Sequence, residues 1–139
     1  MHFDDLTPCT YFGATPFRLV AIGWLSKDHE FTRGRIDRAT YDTLARLLEN
    51  PWSAIVYAGS HECDVCQFGG ARGATNVFIP GREVVYVAPS LVLHYISAHH
   101  YQPPREFQDA VLSCPEMRSM AYLKELRRLG VSLTSSSEA

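Results

Sequence analysis

The sequence predicts an α+β domain: a small three- or four-stranded sheet that includes a hairpin, with helices packed on it. Three observations lead there. The apolar run 17–25 has strand character, the segment after Asp37 changes to a helical period, and two β-prone runs, 76–79 and 84–88, flank Pro80-Gly81-Arg82-Glu83 in the manner of a hairpin. Single strands and a hairpin followed by successive helices leave an open α/β layering as the neighbouring architecture.

Residues 1–16 mix Phe3, Tyr11 and Phe12 with Thr7-Pro8 and Gly13, which predicts an ordered arm that packs by its rings. The run 17–25, with Leu19, Val20, Ile22 and Trp24 between Pro16 and the polar Ser26-Lys27-Asp28, is expected as a buried strand. From Asp37, the side chains of Tyr41, Leu44, Ala45, Leu47 and Leu48 share one helical face, with Asp37 placed as a cap and Asn50-Pro51 as the stop. Residues 53–58 read as a second short strand, and the glycine-rich 67–75 as a loop. Pro89 suits the first turn of a helix that carries Leu91, Tyr95 and Ala98 on one face up to Pro103-Pro104. Helices over 105–113 and 116–129, parted by Pro115 and stopped at Gly130, complete the set. A single domain is expected over 1–131, with the serine-rich 132–139 as a frayed tail.

At 139 residues and 15.6 kDa the chain can bury roughly two thirds of its unfolded surface, so its folding does not require a metal. A hydrophobic content of 46%, a charged content of 20% and a mean hydropathy of -0.11 fit a globular protein rather than a disordered or membrane one. The net charge of -2, with no basic block beyond Arg127-Arg128, argues against nucleic acid as a partner. No apolar run approaches the roughly 18 residues of a membrane span. Met1 to Asp5 carry two carboxylates where a secretory signal carries positive charge, so a cytoplasmic location is expected. In that reducing setting Cys9, Cys63, Cys66 and Cys114 are too few for a disulfide framework; Cys9 and Cys114 read as small buried hydrophobes.

The close pair Cys63 and Cys66 lies in His61-Glu62-Cys63-Asp64-Val65-Cys66, the densest set of soft ligands in the chain. A two-residue gap lets both sulfurs turn toward one ion, and zinc would then need two further ligands, which histidine can supply. His61, His94, His99 and His100 are the candidates. At about 100° per residue His94 and His99 diverge by roughly 140°, so a single helix histidine is expected to reach the ion. The ligand set drawn from this is Cys63, Cys66, His94 and His61, with His99 as the substitute for either histidine. Four protein ligands imply a structural site; three and a water would leave room for Lewis-acid chemistry.

Two rivals are weaker. A thioredoxin-like redox site needs a helix directly after the Cys-x-x-Cys pair, and Gln67-Phe68-Gly69-Gly70 is a poor start for one. A zinc deaminase keeps its His-x-Glu and its proline-led Cys-x-x-Cys well apart, whereas here Glu62 sits inside one compressed motif. The glycines 69, 70 and 73 lack the spacing and the lysine of a phosphate loop. Tyr95, Tyr101, Phe107 and Tyr122 read as core.

Across most of its length the chain resembles a family of small bacterial proteins of unknown function. The resemblance rests on Asp5-Leu6-Thr7-Pro8, Thr10-Tyr11-Phe12, Gly23-Trp24-Leu25, the His61 to Cys66 motif, and Tyr86-Val87-Ala88-Pro89 leading to His94-Tyr95-Ile96, His99, Tyr101, Pro103-Pro104 and Phe107. It implies a self-contained domain and supports His61, Cys63, Cys66, His94 and His99 as a set, without implying an activity. Cys9 stands where that family has tyrosine. The expected function is zinc binding with a structural or interaction role toward a protein partner; a metal-dependent hydrolase at the same site is the alternative, and thiol-disulfide exchange follows it.

Overall fold

Strict in-out alternation on two adjacent strands builds the centre of the protein. The computed structural model describes residues 2–52, 61–66, 72–73 and 75–132, and of His61 and Arg72 the backbone alone. In chain order the elements are β1 (Leu19–Ala21), α1 (Arg38–Leu47), β2 (His61–Glu62), β3 (Arg72–Gly73), β4 (Asn76–Pro80), β5 (Val85–Pro89), α2 (Val92–His99), α3 (Arg105–Ser113) and α4 (Met120–Arg128). The main sheet has the order β1-β5-β4, with β5 parallel to β1 and antiparallel to β4. This is the small α+β arrangement expected, hairpin included. β2 and β3 pair with each other as a separate two-stranded ribbon.

Every residue of β4 and β5 is buried because both faces of the sheet are covered. Val77, Ile79, Tyr86 and Ala88 share one core with Leu44 and Leu47 of α1, Val92 and Tyr95 of α2, and Phe107 of α3. Phe78, Val85 and Val87 face the other way, into a second core closed by Tyr122 and Leu126 of α4 and by Cys9 and Trp24. The N-terminal arm packs by its rings, with Phe3 edge-on to Trp24 at 5.7 Å and Tyr11 at 5.0 Å from the same indole. Buried polar tips find main-chain acceptors: Trp24 Nε1–H donates to the Val87 carbonyl at 3.0 Å and Tyr122 O–H to the Phe78 carbonyl at 2.6 Å.

The departures from expectation have local causes. Of the run 17–25 only Leu19–Ala21 is strand, because Gly23 at φ 74 leaves the extended region and gives its N–H to the Asp5 carboxylate at 2.9 Å. Pro89 ends β5 opposite Asn76 instead of opening a helix, and α2 begins at Val92. Arg118 at φ 67 interrupts the helix expected over 116–129, so α4 starts at Met120, where Ser119 caps it by accepting the Tyr122 N–H at 3.2 Å. Asp37 does precede α1, yet its side chain makes no capping bond. Within the expected loop 67–75, Arg72–Gly73 form β3; a Cβ at Gly73 would collide with Ser90 Oγ, so glycine lets this ribbon lie against the turn after β5. The strand expected over 53–58, most of that loop and most of the tail lie outside the described residues. No helix of the described residues is long and apolar enough to cross a membrane.

Candidate metal centre

The ribbon β2–β3 delivers the cysteines and α2 the histidines. Cys63 follows β2 directly, and the chain turns over Asp64 and Val65 to bring Cys66 back beside it. The N–H groups of Val65 and Cys66 point at the Cys63 sulfur, a knuckle geometry that favours thiolate. Cys63 is 3% exposed and Cys66 half-buried. Burial pushes the Cys63 thiol up, and the adjacent Cys66 adds to this while the two amides oppose it.

Across from the sulfurs, His94 and His99 stand with ring centroids 5.0 Å apart and nearly perpendicular. Cys66 Sγ lies 3.1 Å from His94 Nε2 and 3.3 Å from His99 Nε2, and Cys63 Sγ lies 3.5 Å from His99 Nε2. All four donor atoms fall within 4.8 Å of one another. A tetrahedral zinc with bonds of about 2.3 Å to sulfur and about 2.0 Å to nitrogen requires sulfur–nitrogen edges of about 3.5 Å. These three edges are within a few tenths of an ångström of that figure, so the cluster could hold a metal ion.

The divergence of about 140° along α2 does not keep the two imidazoles apart. His99 is the last residue of the helix, and His100 at φ 59 ends it in the left-handed conformation. That terminus is held from several sides. Arg33 Nη1 donates to the His99 carbonyl at 3.1 Å, Gly34 N–H to the His100 carbonyl at 2.9 Å, and Tyr101 O–H to Asp5 at 2.7 Å. Burial lowers the His99 imidazole from its ordinary value, and the neighbouring His94, Arg33 and His100 lower it further; each favours the neutral ring that coordinates metal. Tyr95 packs beside both rings, 4% exposed, its phenol pushed up by burial and by Cys63, Asp64 and Cys66. On the knuckle side, the Asp64 carboxylate accepts the Lys27 N–H at 3.2 Å.

Of the five residues singled out from sequence, Cys63, Cys66, His94 and His99 are brought together. His61 has its backbone in β2, paired with Gly73, and its side chain lies outside the described residues. The sequence does carry a signal for the His94/His99 pair: four residues separate them, within the three-to-five gap that accompanies Cys-x-x-Cys in Cys2His2 zinc sites. The anchoring of α2 by Asp5 and Arg33 has no comparable signature.

Residues 1–112 match a domain of unknown function, DUF7919, and so take in all four donors. The chain belongs to the DUF7919 family. Neither a curated protein nor a solved structure matches it. In this DUF7919 protein α4, which closes one face of the sheet, lies past the matched residues.

Proposed function

We propose that Cys63, Cys66, His94 and His99 hold one zinc ion as a structural centre, and that this centre locks the β2–β3 ribbon onto α2. The carrying observation is the convergence of two sulfurs and two imidazole nitrogens, from separate elements, to within 4.8 Å of one another, with three sulfur–nitrogen edges near tetrahedral length. Thiolate and imidazole together select zinc over the hard cations magnesium and calcium, and four protein ligands leave no open position for a substrate. The domain would thus present a fixed surface to a protein partner rather than a reaction centre. A cytoplasmic setting agrees with cysteines kept reduced for coordination.

Elemental analysis of protein purified without added metal tests this. The expected result is about one zinc per chain, and cobalt substitution giving the spectrum of a tetrahedral S2N2 site that His94→Ala or His99→Ala disrupts. A variant at His61 should leave that spectrum unchanged. Less than about one tenth of a zinc per chain, with Cys63 and Cys66 freely titratable, would overturn the reading.

A further inference from the structure

A cleft of about 880 Å³ opens at the hairpin end of the main sheet, between α3 on one face and α4 on the other. Its volume is in the range of small-molecule sites, about 300–1,000 Å³. Each helix lines it with one stripe at helical spacing. Glu106, Asp109 and Ala110 come from α3, and Ala121, Lys124 and Arg128 from α4; Arg82 of the hairpin turn closes one end.

The charge is divided across the cleft. Glu106 and Asp109 make the α3 wall acidic; Lys124 on α4 and Arg82 at the hairpin end are basic, and Glu125 of α4 is neutralised by Arg128. Arg128 is already committed: it donates to the carbonyls of Gly81 and Arg82 at 2.9 and 2.8 Å and pairs with Glu125 at 2.9 Å, which fixes the turn. Asp109 pairs with Arg105. Glu106, Lys124 and Arg82 carry no ion pair among the described residues.

Between the walls lies Tyr86, its ring buried and the residue 7% exposed, whose hydroxyl makes no hydrogen bond to the described residues and opens on the cleft. Its ring is wedged edge-on against Phe107 at 5.7 Å and under Gly81, where a Cβ would come within 2.7 Å of it. The ring is therefore fixed, and the hydroxyl is the polar atom left to face the cleft. Burial and the nearby Glu106 carboxylate push the phenol up, so the hydroxyl keeps its proton at neutral pH. A ring held in place with its hydroxyl open to the cleft offers a position that a ligand atom can complete.

We propose that this cleft binds a small zwitterion of the amino-acid or short-peptide class, its ammonium end against Glu106, its carboxylate against Lys124 and Arg82, and a polar atom of its backbone on the Tyr86 hydroxyl. A simple anion would meet the acidic α3 wall and a simple cation the basic one, so only a ligand bearing both charges is matched at both ends. The inference does not rest on the metal centre.

Titration of the isotope-labelled, metal-replete protein by NMR tests it, with L-amino acids in one arm and dipeptides in the other, each beside its N-acetylated and its amidated analogue. The expected result is a set of amide shifts confined to 82–86, 106–110 and 121–125. Blocking either end of the probe should weaken binding about tenfold or more, and Glu106→Gln and Lys124→Gln should each do the same, the loss of one charged hydrogen bond. Both substitutions lie on exposed helix faces, and an unchanged spectrum elsewhere verifies folding. Tyr86→Phe should weaken binding less. The relative affinities of the two arms assign the ligand as free amino acid or peptide. No shifts with any probe up to about 10 mM, or equal binding of blocked and unblocked probes, would overturn the proposal.

Discussion

If Cys63, Cys66, His94 and His99 hold zinc as proposed, withdrawing it from this DUF7919 protein should open the knuckle and leave the domain folded. The two cores on either side of the main sheet are built from β1, β4, β5, the arm and four helices; of the donor residues Cys63 lies in one of them and Cys66 packs against it. With the metal gone, three kinds of contact hold 63–66 to the rest of the chain: the exposed Lys27 N–H to Asp64 bond, the burial of Cys63 with Val65 and Cys66 packed on the same core, and the sulfur–imidazole contacts with His94 and His99. At about 1 kcal/mol for each kind they make opening unfavourable by about 3 kcal/mol, a protection of roughly 150-fold. Zinc at about a thousand times its Kd adds about 4 kcal/mol, which multiplies protection about a thousandfold. Hydrogen exchange read by mass spectrometry, with and without a chelator, resolves the two cases. Peptides covering 61–66 should lose protection by about that factor, while peptides from β4 and β5 should change little. Loss of protection across the main sheet on chelation, or an unchanged knuckle, would refute the division between a self-sufficient body and a metal-held ribbon.

Three further outcomes follow from single contacts. Tyr122→Phe leaves the buried Phe78 carbonyl without its donor, so the urea midpoint should fall by the equivalent of about 1–3 kcal/mol with zinc content unchanged; a neutral effect would show that the bond is dispensable. Gly23→Ala places a Cβ 2.9 Å from Val92 Cγ2 at φ 74, so a loss of about 1–3 kcal/mol in chemical denaturation is expected, and full stability would contradict the strain. Burial raises the Asp5 carboxyl above its ordinary value, against the pull of its bonds from Tyr101 and Gly23. The stability tied to that raised value is complete below the ordinary carboxylate range and is lost as pH rises through the folded value. Relative to Asp5→Asn, the wild-type urea midpoint should therefore decline as pH rises above the ordinary carboxylate range, about pH 4; a constant difference would count against it.

The parts of the fold legible in the sequence are those that local periodicity controls. Arg105–Ser113 has the bounds that the residue pattern gives, β4 extends its expected run by one residue and β5 is shifted by one, because strand alternation and helical stripes are set by each segment's own burial. What was not legible depends on partners far along the chain. The extended run 17–25 stops at Gly23 because Asp5, eighteen residues back, takes that amide. Pro89 reads equally well as a helix start or a strand end, and only its pairing with Asn76 decides between them. The same division holds at the site. The Cys63/Cys66 knuckle is a local motif, whereas the joint reach of His94 and His99 depends on how α2 ends, and ideal helix angles applied to its last residue understate what an imidazole at a terminus can do.

The two halves of the centre are held with unequal firmness, and this sets the order in which it would assemble. His94 and His99 ride on a helix whose N-terminal side is buried through Val92 and Tyr95, and whose C-terminal side is tied to Arg33, Gly34 and Asp5. None of those bonds uses a donor atom of the centre. The cysteine half has the Asp64 contact, the burial of Cys63 and a ribbon of two residue pairs. An arriving ion therefore meets preset imidazoles and recruits the knuckle, so the entropy of ordering falls on the ribbon and lowers net affinity through that segment alone. Loosening the helix end should be costly for the same reason. Arg33→Ala, which frees the His99 carbonyl without touching a donor atom, should weaken zinc binding by about 10–100-fold, the usual effect of losing a residue that orients a ligand. Competition with a chromophoric chelator measures this directly, and an unchanged affinity would mean that the knuckle, not the helix, carries the preorganisation.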